Sequence, residues 1–188
     1  MTIDESLALL GLSEAITRRW LEQLHEPHRH YHTLNHVKEM LRHYDGSSRE
    51  LIAAIWLHDI IYDPRASDNE ERSADQARAD LPPDFDTDLV VRLILDSKHH
   101  KGGDPLTDAF NDLDLGIIGS SAGFYDRYAE QIRLEYAFVP DEVYRIGRAG
   151  ILRSFNERRI FRTTAFRHLE SQAHFNLERE ITRLEVHD

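Results

Sequence analysis

The chain has 188 residues, 40% of them apolar and 30% charged, a length and balance suited to a globular protein with a full hydrophobic core. It has no cysteine, which excludes disulfides, thiolate zinc sites and cysteine nucleophiles and fits a cytoplasmic location. A formal net charge of −11 repels a nucleic-acid backbone, so polymeric DNA or RNA is not an expected partner, whereas a small phosphorylated molecule needs only a few local cations.

The opening MTIDESLALLGLSEAI is acidic and lacks a basic region followed by an apolar run, so no signal peptide is expected there. No stretch reaches the roughly 18 apolar residues of a membrane span. Ile16, Trp20, Leu21 and Leu24 mark a first helix that ends before Pro27. Thr33 is placed to cap a helix through His36, Val37, Met40 and Leu41. Leu51 to Tyr62 is apolar on most sides until His58 and Asp59, and Pro64 stops it. Ser67 or Asp68 caps the next helix, with Glu70 and Glu71 complementing its dipole in the first turn. After Pro82-Pro83, Thr87 opens a helix through Val90, Val91, Ile94 and Leu95 towards His99, closed by Gly102-Gly103.

A helix over about 105–118 follows, with Gly119 expected as its C-terminal cap. Phe124, Tyr125, Tyr128 and Ile132 mark another, with the aromatic series expected to pack in the core. Val143, Ile146, Ile151, Leu152 and Phe155 mark the next, and Phe166, Leu169, Ala173, Leu177, Ile181 and Leu184 the last. Without strand alternation, internal repeat or linker, residues 1–188 read as one all-α domain of eight or nine helices.

Twelve histidines are present, clustered between positions 25 and 43 and at 99–100. An ionised Asp59 at the end of an apolar helix needs a partner, either a divalent metal shared with His58 or an arginine or backbone amide. The His-Asp dipeptide alone is common, and His187-Asp188 is a second example; its company gives it weight. Upstream stand His30, His32 and His36, and downstream Asp112 and Asp114, the latter set between leucines.

The order His36, His58-Asp59, Asp114 resembles the HD superfamily of metal-dependent phosphohydrolases. The wording is similar to one bacterial subgroup of that superfamily: a YHxxxH opening (Tyr31, His32, His36), WxHDxxYDP (Trp56 to Pro64) and NEERSA (Asn69 to Ala74). The likeness continues through KHH (Lys98 to His100), DxDLxxxG (Asp112 to Gly119) and IRxEYxxVPD (Ile132 to Asp141), covering about residues 28–180. It implies a single HD-type helical domain. His36, His58, Asp59 and Asp114 would then hold one divalent ion, manganese, iron, cobalt, nickel, zinc or magnesium, with positions left for water and a phosphate oxygen.

Some relatives carry HDxxED where this chain has HDIIYD, so Asp63 alone matches the acidic pair. Asp63 stands as base or as a turn residue before Pro64. Glu71 stands as a catalytic carboxylate or a dipole complement, and His99 as a proton donor or a solvated helix end. Arg29, His32, Lys98, His100 and Arg133 are the candidates for contacting substrate, with a structural salt bridge as the other reading of Arg133. The resulting expectation is hydrolysis of a small phosphate ester, a nucleotide or related phosphomonoester. A metal- and nucleotide-binding sensor without turnover and an HD-type di-iron oxygenase are the alternatives. The sequence leaves open whether the chain forms homo-oligomers.

Overall fold

The computed structural model describes residues 1–186; His187-Asp188 lies outside them. Among the described residues the chain is all-α, as expected, and it divides into two units, Met1–Asp114 and Leu115–Asp188. Among the described residues no helix is long and apolar enough to cross a membrane.

The first unit holds α1 (Ile3–Leu10), α2 (Glu14–Gln23), α3 (Leu34–His43), α4 (Arg49–Leu57), α5 (Asn69–Asp80), α6 (Thr87–Ser97) and α7 (Pro105–Asp114). Every residue from Leu51 to Leu57 is fully buried. That is the behaviour of a helix apolar all round, and α4 packs against α1, α3, α5, α6 and α7. His58 and Asp59 therefore follow directly on a fully enclosed helix. Thr33 caps α3 by accepting from Asn35 N–H, as expected, which sets His36 in the first turn.

α1 was not foreseen. Thr2 and Glu5 form its capping box, and Gly11 ends it in the left-handed conformation at φ 64°. α2 is tied to α5 through Asp80, a largely buried carboxylate that accepts from the Trp20 indole N–H at 2.7 Å and from Arg19.

The second unit begins with a 3-10 turn, Leu115–Gly119, and continues with α8 (Ala122–Glu135), α9 (Asp141–Asn156), a second 3-10 turn (Arg167–Leu169) and α10 (Glu170–Glu185). The helix expected over 105–118 is thus α7 followed by this tighter turn. Gly119 is not a left-handed cap: a Cβ there would sit 2.6 Å from Leu169 Cβ, so close packing is what requires glycine. Of the aromatic series, Tyr125 is fully buried and Tyr128 packs on the same core, while Phe124 is exposed beneath the Arg127 guanidinium.

α9 departs from its expected face. Tyr144, Ala149 and Leu152 are buried, whereas Val143, Ile146 and Ile151 are exposed. Along its buried side Arg148 meets Glu180 of α10, whose carboxylate also accepts from Tyr125 Oη.

Two outcomes follow from these cores. Asp80→Ala strands the buried Trp20 N–H, and urea unfolding should show a loss of about 1–3 kcal/mol. Burial pushes the Tyr144 phenol up to about 12 and Tyr125 further. Phenols protonated more tightly in the folded chain favour it fully below pH 10, and that contribution is lost as pH rises towards 12. Circular dichroism across that window should show helix loss, with the midpoint raised in Tyr144→Phe.

Candidate metal centre

α4 ends at Leu57, and His58 is the residue that closes it, its N–H donating to Ala54 O. The ring is fixed by Nδ1, 3.0 Å from the Ile55 carbonyl. A carbonyl only accepts, so Nδ1 carries the hydrogen and Nε2 faces inward. There it lies 3.1 Å from His36 Nε2, 3.0 Å from Asp59 Oδ2 and 3.6 Å from Asp114 Oδ1. His36, buried in the first turn of α3, places Nε2 3.0 Å from Asp114 Oδ1 and 3.9 Å from Asp59 Oδ2. Its other nitrogen is 3.1 Å from Tyr31 Oη. Asp114, the last residue of α7, supplies the third element. His36, His58 and Asp114 form a group that can hold a metal ion, with Asp59 Oδ2 on its edge.

The loop after α4 is pinned from behind. Arg29, its side chain fully buried, donates to the carbonyls of Asp59 (2.7 Å), Ile60 (2.8 Å) and His32 (3.0 Å), and to Glu26. Arg29, expected to contact phosphate, is instead buried and committed to the Glu26 carboxylate and to backbone carbonyls of the loops that carry His32 and Asp59.

His100 does join the site. Its Nε2 is 2.8 Å from Asp114 Oδ2, the oxygen turned away from His58. The residue stands in the left-handed region at φ 49°, a conformation that costs of order 1–3 kcal/mol outside glycine. Asp96 holds that turn. Its carbonyl accepts from the N–H groups of His99 and His100, and its carboxylate from Gly102 N–H and Asn111 Nδ2. Neither Asp96 nor Asn111 was singled out from sequence, and Tyr31 entered only as part of the YHxxxH opening; Asn111 reaches the turn only through Asp96, 15 residues back.

His32 stacks on Tyr62 at 4.3 Å between ring centroids and brings Nε2 to 4.0 Å from Asp59 Oδ2. His99 is exposed. Lys98 is bound to Glu71 at 2.6 Å and to Ser67 O, and this bond holds the Glu71 carboxyl below its usual range. The two candidates thus satisfy one another. Asp63 serves the turn before Pro64: Oδ1 accepts from Arg65 N–H, and Asn69 bonds both its N–H and its carbonyl. Arg133, in the second unit, donates to the carbonyls of Tyr136 and Val139 beyond the end of α8 and lies 3.4 Å from the Asp141 carboxylate, the salt bridge of its structural reading.

No family model, curated protein or solved structure matches this chain.

The chemistry of the donors carries the site further. Burial lowers the His58 pKa, but Asp59 and Asp114 outweigh it and hold the imidazole well above its ordinary range. Burial likewise raises the two carboxyls, and the His58 ring, helped by His32 at Asp59 and by His100 and His36 at Asp114, holds both below theirs. Two ring nitrogens and two carboxylate oxygens facing one another repel unless a proton or a cation lies among them. A proton on His58 can serve, and so can a divalent cation, for which two imidazoles and two carboxylates are a fitting set.

A cation and that proton compete for one Nε2. Titration with Mn²⁺ or Zn²⁺ should therefore release about one proton, and the apparent affinity should rise roughly tenfold per pH unit until His58 is neutral in the metal-free protein. Calorimetry in two buffers of different ionisation enthalpy reads both.

Proposed function

We propose that the chain is an HD-type hydrolase of a small phosphate ester, a nucleotide or related phosphomonoester, dependent on a divalent metal held by His36, His58, Asp59 and Asp114. The observation that carries this reading is the convergence of His36 Nε2, His58 Nε2 and Asp114 Oδ1 within 3.6 Å of one another from α3, the end of α4 and the end of α7. The order of these residues along the chain is that of the superfamily resemblance.

A bound divalent ion would supply counter-charge for phosphoryl oxygens and a more acidic water. The chain's own groups do the rest. The Ile55 carbonyl keeps a lone pair of His58 aimed into the site, and the Tyr31 hydroxyl steadies His36. Arg29 fixes the backbone that presents Asp59. His32 and His100 border the two carboxylates, where either imidazole can donate to an ester oxygen or hold a proton for the leaving group.

The decisive experiment is a phosphate-release screen of nucleotides and sugar phosphates with manganese, iron, cobalt, nickel, zinc and magnesium. Asp59→Ala and His36→Ala should each cut turnover about a thousandfold or more and lose the bound metal, with far-ultraviolet circular dichroism unchanged. Full activity in either variant, or metal-independent turnover, removes the assignment. Thermal stabilisation by a nucleotide without turnover would replace it with a sensor.

A further inference from the structure

α9 carries two apolar stripes, and only one is used within the chain. On the outer side Val143 is 60%, Ile146 70% and Ile151 55% exposed, an apolar run unusual for a solvated helix face. Between them lie Gly147 and Gly150, both exposed, with nothing within 4 Å of where a Cβ would stand and no left-handed φ. Glycine in a helix interior is unfavourable compared with alanine, and no contact inside the chain explains it at either position. Close approach by another backbone does.

The arrangement also identifies which backbone. At 100° per residue, Val143, Gly147, Gly150 and Ser154 line the centre of the stripe. About the point between Arg148 and Ala149 the pattern matches its own reverse: Gly147 answers Gly150, Ile146 answers Ile151 and Val143 answers Ser154. Glu142 and Arg153 lie on the same edge, near opposite ends. A two-fold axis that sets two such helices antiparallel maps each edge onto itself, so Glu142 of one copy falls about 3 Å along the axis from Arg153 of the other. A parallel pair would put these charges on opposite edges. Opposed helix dipoles favour the same orientation.

We propose that this face is the seam of a homodimer in which α9 packs antiparallel on α9 of a second copy. The backbones meet at Gly147 and Gly150, the isoleucines enclose that contact, and Glu142 and Arg153 pair at both ends. Arg153 already bonds Glu185 of its own chain, so the partner's Glu142 extends an ion pair whose arginine is held in place. The proposal is independent of the metal site.

Sedimentation velocity of the full chain over a dilution series tests it, and a particle of twice the chain mass is expected. Ile146→Glu enters the seam twice and should weaken the dimer about 100-fold or more, roughly tenfold per copy. Gly150→Leu should weaken it comparably while leaving the helical signal intact. Because the chain has no cysteine, orientation is read directly. Chains carrying Val143→Cys and chains carrying Ser154→Cys should form a disulfide when mixed and not separately, since equal positions lie too far apart for a bridge in this register. A single-chain mass at every concentration, a dimer unaffected by Ile146→Glu, or bridging of Val143→Cys chains to one another would each overturn the proposal.

Discussion

The first unit is organised around one electrostatic problem, the presence of His36, His58, Asp59 and Asp114 with their acceptor atoms turned towards a common point. Left without a proton or a cation, that point would repel its own walls, and the low polarity around α4 makes the repulsion stronger. The fold holds it in place through the backbone. His58 is turned by a carbonyl one helical turn back, and Asp59 is carried on a loop whose carbonyls are bonded to a buried guanidinium. Such anchoring keeps the four groups aimed inward whichever positive charge, proton or metal, lies among them.

Two further devices reinforce the arrangement. Arg29 bonds the carbonyls of Asp59 and Ile60 just beyond α4 and that of His32, so one side chain ties the 28–33 loop to the segment that presents Asp59. On the far side, the left-handed turn at His100 is an unfavourable conformation maintained by Asp96 and Asn111. A carboxylate and an amide are committed to keeping one imidazole beside Asp114. Conformational strain kept in this way is usual where geometry serves binding.

What the sequence made legible follows from how local each signal was. The capping of α3 by Thr33, the burial of α4 and the breaks at Pro64 and Pro82-Pro83 rest on neighbours within a few residues, and they appear as expected. So does the convergence of His36, His58 and Asp114, because an expensive polar group in an apolar helix implies company. The fates of Arg29, Lys98 and Glu71 depended on partners about 27 to 31 residues away, which no spacing rule locates. Gly119 was read as a cap because glycine after a helix usually is one; here the constraint comes from Leu169. The outer stripe of α9 was read as its core face because apolar spacing reports that a helix has an apolar side, not which of two sides is covered.

The pairing of these cations also bears on what the centre can accept. With Arg29 buried on carbonyls and Lys98 bound to Glu71, the basic side chains expected to meet an anion are engaged elsewhere, in a chain of net charge −11. The groups that border the carboxylates are imidazoles, His32 and His100, which carry charge only when protonated. Under the proposed reading, two carboxylates balance a divalent ion to about zero. The attraction for a phosphate then acts only at contact range and is opposed by the field of the whole protein beyond it. A polyanion would meet that opposing field along its entire length, a single phosphate only once. Under that reading the electrostatics oppose a polymer more strongly than a small phosphorylated substrate.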